Sequence, residues 1–154
     1  TVMVDGFLLN NQLTDFSLSP MVKGKLVANR VEPLKRPRSS MSPVMVFKNG
    51  ELHAVIGSPG GSRIINYVAY ALIGLLEYDL DMQQVVNMPR VSNRNGTTSL
   101  ELNQNLTSLA TELTTMGHRV KLVNLTSGIH GILKLNDQWQ GAADPRREGT
   151  ARGF

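Results

Sequence analysis

Residues 43–76 read PVMVFKNGELHAVIGSPGGSRIINYVAYALIGLL, and the fold follows from how this stretch divides. Val44-Met45-Val46-Phe47 and Leu52-His53-Ala54-Val55-Ile56 are two short β-branched and aromatic runs around Lys48-Asn49-Gly50. An Asn-Gly pair supplies the two positive-φ residues of a tight turn, so the segment predicts a β-hairpin. Gly57-Ser58-Pro59-Gly60-Gly61-Ser62-Arg63 then interrupts the pattern, after which Ile64, Ile65, Val68, Ala71, Leu72, Leu75 and Leu76 fall at helical spacing. A glycine-rich turn therefore feeds a largely buried helix, whose N-terminus points back at that turn.

Working outward, Asp81 is placed to cap a second helix with Gln84 reciprocating, and Pro89 stops it. A third helix follows Asn105, with Leu106, Leu109, Leu113 and Met116 on one face and Gly117 at its end. Arg119–Val123, Ile129–Leu135 and Trp139–Ala143 read as strands, the last two joined through Asn136-Asp137, and Trp139 is assigned to the core. At the other end, Val2-Met3-Val4 and Gly6-Phe7-Leu8-Leu9 read as one buried strand that exits at Asn10-Asn11-Gln12. From Ser17 to Arg38 periodicity vanishes among Pro20, Gly24, Pro33 and Pro37, marking a loop. Strands flanking a block of helices indicate an α+β class, with helices on antiparallel sheets or a layered αββα arrangement, and residues 1–154 read as a single domain piece.

Composition narrows the chemistry. The chain has 154 residues, 41% of them hydrophobic, enough for one compact domain. It has no cysteine, which removes disulfides, thiol nucleophiles and thiolate metal sites. The net charge is +4, the basic residues are mostly scattered apart from two local clusters, the first being Arg30, Lys35, Arg36 and Arg38, and aromatics make up only 5%, so a nucleic-acid surface is not indicated. The longest apolar run, Val68 to Leu76, is too short for a bilayer. His53, His118 and His130 lack ligand spacing, so no metal is expected.

Three stretches carry candidate chemistry. Gly60 and Gly61 precede a helix in a spacing that matches neither common nucleotide loop, leaving an anion or oxyanion receiver, or a plain tight turn. Ser39 and Ser40 lie in Lys35-Arg36-Pro37-Arg38-Ser39-Ser40-Met41-Ser42-Pro43, where hydroxyls could donate to a carboxylate or merely support a serine-rich turn. Gln12 and Asp15, just past a strand end, suit an ammonium group, though Asx capping explains the stretch equally well.

Taken in order, GFLLNNQLTDFS, KRPRSSMSP, GSPGGSRI and GAADPRREGTARGF resemble the small subunit of γ-glutamyltranspeptidases from about Gly6 to Phe154. The resemblance implies the C-terminal part of that subunit in a layered αββα N-terminal nucleophile hydrolase fold. It implies an autoprocessed precursor, a large-subunit partner, and hydrolysis or acyl transfer on glutathione and other γ-glutamyl compounds through a threonine acyl-enzyme. No cofactor is implied. By the same resemblance Gln12 and Asp15 hold the substrate α-amino group, Ser39 and Ser40 its α-carboxylate, and Gly60 and Gly61 are the oxyanion-hole amides. In the family the nucleophile opens a Thr-x-His segment well ahead of the GFLLNN stretch, so Thr1 is not assigned that role, and this chain alone is expected to be inactive. The segment between Phe16 and Lys35 lacks the aromatic lid of many relatives, implying a more open pocket. A glutaryl or cephalosporin acylase relative and a non-catalytic fragment are the alternative readings. Bacterial relatives are often periplasmic or secreted, the compartment expected here.

Overall fold

A computed structural model describes residues 2–102 and 105–153, so Thr1 lies outside the described residues. The chain divides into two compact units, residues 1–39 and 40–154.

The first unit is made of two small hairpins and turns. β1 (Met3–Val4) pairs antiparallel with β2 (Phe7–Leu8). The expected single buried strand is thus a hairpin, and it is exposed, with Phe7 at 74%. Asp5 (φ +48°) and Gly6 (φ +83°) fold the chain back on itself, the paired positive φ of a tight hairpin turn. The same device works in the segment read as loop. Lys23 (φ +50°) and Gly24 (φ +74°) connect β3 (Met21–Val22) to β4 (Lys25–Leu26).

The second unit carries the hairpin, glycine turn and helix predicted for residues 43–76. β5 (Val44–Lys48) and β6 (Glu51–Gly57) form the hairpin, with Asn49 (φ +54°) and Gly50 (φ +83°) at its turn. A 3-10 turn, Gly61–Arg63, leads into α1 (Ile64–Glu77). α2 (Met82–Asn87) begins at Asp81 with both halves of a capping box: the Gln84 backbone N–H donates to Asp81 Oδ1 at 2.7 Å, and the Asp81 N–H donates to Gln84 Oε1 at 2.9 Å. β7 (Val91–Ser92) and β8 (Thr98–Glu101) follow; neither is marked by alternation, because all of β8 is buried and a strand buried on both faces has no polar side. α3 (Thr107–Thr115) crosses over to β9 (Val120–Val123), which pairs parallel to β8, a departure from the purely antiparallel expectation. β10 (His130–Leu135) and β11 (Gln138–Ala143) complete an antiparallel four-stranded sheet in the order β11-β10-β6-β5.

The core lies between this sheet and the helices. Ala54 and Ile56 of β6, Leu133 of β10 and Ala142 of β11 face Tyr67, Ala71 and Leu75 of α1 and Met82, Val85 and Val86 of α2. Each buried large aliphatic side chain contributes about 1.5–3 kcal/mol. The opposite face of the sheet carries Met45, Ile132 and Trp139, and Trp139 is 51% exposed. Trp139 is therefore not a core residue: its register opposite Lys134 turns it away from the helices. The second unit is α+β: α1 and α2 cover one face of the four-stranded sheet, and β7, β8 and β9 form a separate three-stranded sheet.

Candidate functional site

Past β2, the chain enters a 3-10 turn at Gln12–Asp15 whose entry is shaped by Asx chemistry. The Gln12 N–H donates to Asn10 Oδ1 at 3.2 Å, and Thr14 Oγ1 donates to the Asn11 carbonyl at 2.8 Å. Gln12 and Asp15 stand exposed at the two ends of this turn. One residue that periodicity could not single out, Asn29, ties the turn to the segment entering the serine pair. Its Nδ2 donates to the Asp15 carbonyl at 2.7 Å, while its Oδ1 accepts from the Arg38 N–H at 2.9 Å. The backbone of Asp15 and the residue before Ser39 are thus held by one side chain. Ser39 is exposed and ends the first unit; Ser40 is half-buried and begins the second. The basic cluster nearby is partly neutralised internally. Arg30 pairs with Glu32, and Lys35 Nζ lies 3.0 Å from Glu32 Oε2. Hydrogen bonds from Lys35 and Arg30 hold the Glu32 carboxyl below the usual carboxylate range.

Gly60 and Gly61 sit where β6 has ended and α1 has not begun, both at positive φ (+142° and +56°). Gly60 could not be replaced even by alanine without displacement, since a Cβ there would lie 2.7 Å from Tyr67 Cε2. The turn closes through the Arg63 N–H to the Gly60 carbonyl at 3.2 Å. The turn therefore lies at the positive end of a 14-residue helix. Arg63, Arg94 and Lys121 line a groove of about 270 Å³ beside it. The sign of this region suits negative charge developing on a bound carbonyl oxygen.

The second unit also holds a buried charged cluster that sequence spacing does not assemble. Arg90 and Asp144 are fully buried. Arg90 Nη1 and Nη2 donate to the Val85 and Val86 carbonyls at 3.2 and 2.5 Å, capping the C-terminal end of α2. Its Nε donates to Ser127 Oγ at 2.9 Å, and Nη2 lies 3.4 Å from Asp144 Oδ2. Ser127 Oγ donates in turn to Asp144 Oδ2, which also accepts from the Ile129 N–H at 3.1 Å. Arg146 forms a fork with Glu101, at 2.5 Å from Nε and 2.7 Å from Nη2, and donates from Nη1 to Asp144 Oδ1 at 2.9 Å. Burial pushes the Asp144 carboxyl up, but the Ser127 and Arg146 hydrogen bonds and the Arg146 charge outweigh it, holding the group at about 2. Burial and the neighbouring Arg146 charge lower the Arg90 guanidinium from its ordinary value.

Among the candidate residues, the structure joins Asp15 to the segment entering Ser39 through Asn29, and sets Gly60 and Gly61 together at the head of α1. Among the described residues no group of three or more His, Cys, Asp or Glu side chains could hold a metal ion, and no helix is long and apolar enough to cross a membrane.

Comparison with known proteins places this geometry in context. The family model described as gamma-glutamyltranspeptidase matches residues 1–154. A glutathione hydrolase proenzyme of Escherichia coli (strain K12) is 38% identical over 148 residues, covering 92% of this chain and 26% of the relative. One from Bacillus subtilis (strain 168) is 33% identical over 153 residues, covering 97% of this chain and 25% of the relative. The solved structure of a gamma-glutamyltranspeptidase from Pseudomonas nitroreducens complexed with L-DON superposes with a TM-score of 0.84 at 32% identity, covering 99% of this chain and 86% of that one. The chain thus spans about a quarter of the length of these curated relatives.

Proposed function

The chain belongs to the γ-glutamyltranspeptidase family, and from that premise we propose that the protein of which it forms part cleaves γ-glutamyl amides such as glutathione, this chain supplying the glutamyl pocket and the oxyanion hole. The observation that carries the reading is the pair Gly60-Gly61, held at positive φ against Tyr67 at the positive end of α1. Amides fixed in this way stabilise charge without reorganising at the moment it develops.

In this reading a threonine hydroxyl, contributed by the Thr-x-His segment of the family, attacks the γ-carbonyl. The carbonyl oxygen gathers negative charge and accepts hydrogen bonds from the Gly60 and Gly61 N–H groups. The proton given up by the threonine hydroxyl passes to the leaving amine as the tetrahedral species collapses to an acyl-enzyme, which water or an acceptor amine resolves. Asp15 and Gln12 hold the substrate α-ammonium group, and Ser39 and Ser40 donate to its α-carboxylate. An ionised carboxylate facing an ammonium is the stronger, charge-assisted kind of hydrogen bond, which gives Asp15 the larger share of amine recognition. The large subunit of the same precursor is the partner in this account. The carboxylate and amide at the strand exit favour an α-amino substrate over a glutaryl side chain, which offers no cation to Asp15.

The test is release of anilide from a chromogenic γ-glutamyl anilide by the full-length protein and its Asp15→Ala variant. Asp15→Ala raises KM sharply for the γ-glutamyl substrate and much less for a glutaryl anilide that lacks the amino group. Absence of product with the wild-type protein, or equal effects on both substrates, overturns the reading.

A further inference from the structure

We propose that the Asp144-Pro145-Arg146 element sets the position of the glycine turn through Ser127 and Gly128, making Asp144 and Ser127 positioning residues for the oxyanion hole. The proposal rests on the reading of Gly60 and Gly61 given above.

The turn has little of its own to hold it. Two consecutive residues are glycines at positive φ; its own hydrogen bonds are short-range, from the Arg63 N–H to the Gly60 carbonyl at 3.2 Å, from the Ile64 N–H to the Gly61 carbonyl and from Ser58 Oγ to the Pro59 carbonyl at 2.7 Å, so its placement depends on what flanks it. On one side stands the ring of Tyr67, against Gly60. On the other stands Gly128, against Pro59. A Cβ on Gly128 would lie 2.6 Å from Pro59 Cγ and 2.9 Å from Cδ, so bare backbone is all that fits there. The Gly128 N–H also donates to Ser58 Oγ at 3.3 Å. Segment 126–129, which has no ladder partner, is therefore the wall behind the turn.

Asp144 fixes that wall from both sides of Gly128. Its Oδ2 accepts from Ser127 Oγ and from the Ile129 N–H, the residues immediately before and after. Arg90 Nε holds the same Ser127 oxygen at 2.9 Å, and Arg147 donates to the carbonyls of Ser127 at 3.2 Å and Thr126 at 3.1 Å. Asp144 is itself held by the Arg146 backbone N–H at 3.0 Å and guanidinium at 2.9 Å. A displacement of the Asp144 carboxylate must carry Gly128 with it, and Gly128 cannot move toward Pro59 without moving the turn. Buried charge is a poor means of stabilisation compared with apolar packing of the same volume, and its best use is to specify geometry. The geometry specified here is that of the segment abutting the turn.

The experiment compares Gly128→Ala and Ser127→Ala in the full-length protein, with Asp81→Ala as a control that weakens α2 by its cap. Contact between carbon atoms is ordinary from about 3.5 Å, so the added methyl must displace Pro59 by on the order of 1 Å. Misplacement of that size costs about 100-fold in rate. Gly128→Ala is expected to lower kcat on the γ-glutamyl anilide by roughly 10- to 100-fold with KM and the inhibition constant of glutamate within about two-fold, since glutamate develops no oxyanion. Ser127→Ala, which deletes only a hydroxyl, moves kcat in the same direction by less, and carries the test if the alanine at 128 prevents folding. Asp81→Ala lowers Tm and leaves kcat alone. The proposal is overturned if both variants keep wild-type kcat, or if their kcat falls no more than that of a control with the same Tm. An inactive wild-type protein would sink the function itself, a result distinct from active wild type with unresponsive variants.

Discussion

Replacing Asp144 by asparagine keeps the shape and removes the charge, and the structure gives the cost. The four charged members of the cluster are Arg90, Arg146, Glu101 and Asp144, which balance. Without the aspartate the cluster has one uncompensated cation among buried residues, and breaking a buried pair in this way costs about 3–5 kcal/mol. Asparagine adds to the problem, because both carboxylate oxygens face donors: Ser127, Ile129 and Arg90 on Oδ2, Arg146 on Oδ1. An amide has one acceptor oxygen, so its NH₂ must point at other N–H or O–H groups. Against a total of about 5–15 kcal/mol for a domain, the loss is severe. Acid dependence gives a second, independent readout. The Asp144 carboxyl titrates at 3.8 ordinarily and at about 2 in the fold. A depressed carboxyl contributes stability that is complete above its unfolded value and disappears as pH falls through the folded one. The contribution, about 2 kcal/mol from the size of the shift, is therefore full above about pH 5 and lost between about pH 4 and 2. Urea unfolding of the full-length protein followed across this range should show the wild-type midpoint falling steeply below pH 4 and the Asp144→Asn midpoint lower at pH 7 and flatter in acid. A variant within 1 kcal/mol of wild type at pH 7, with the same acid profile, refutes the account of Asp144 as the charge that balances the cluster.

Two further outcomes follow from named contacts. Asp81→Ala removes the acceptor for the Gln84 N–H at 2.7 Å and should lower stability by about 1 kcal/mol, read as a shift in the urea midpoint without change in slope. Asn29→Ala releases both the Asp15 carbonyl and the Arg38 N–H. At about 1 kcal/mol for each bond, kcat/KM on the γ-glutamyl anilide should fall roughly 30-fold, mostly through KM, if the proposed roles of Asp15 and Ser39 hold; a change confined to Tm would count against Asn29 as a functional clasp between them.

Local chemistry was legible along the chain wherever it acts over a few residues. Asn49-Gly50 announces a hairpin because both positions need positive φ, the spacing from Ile64 to Leu76 announces α1, and Asp81 with Gln84 announces a capping box; all three are present. The same local rule, applied to Asp5-Gly6, would have divided the supposed single strand at the start. Partners far apart in sequence were not legible. Asp144 meets Arg90 across 54 positions and Arg146 meets Glu101 across 45, and no period links such pairs. Asn29 lies in a segment without periodicity, where nothing distinguishes a clasp from a turn residue. Trp139 was misassigned because a large apolar side chain at a strand position is as compatible with either face of a sheet.

By itself, then, the sequence determined the α+β class, the elements around the glycine turn, and through its ordered motifs the family to which the chain belongs. These follow from backbone preferences and short-range hydrogen bonds that each few residues express alone. Only the tertiary structure decided which face of the sheet takes the helices, that β9 lies parallel beside β8, and that Asp144, Ser127 and Gly128 stand behind Pro59. Those are choices among many sterically possible pairings, made when burial forces every charged and polar group to find its partner.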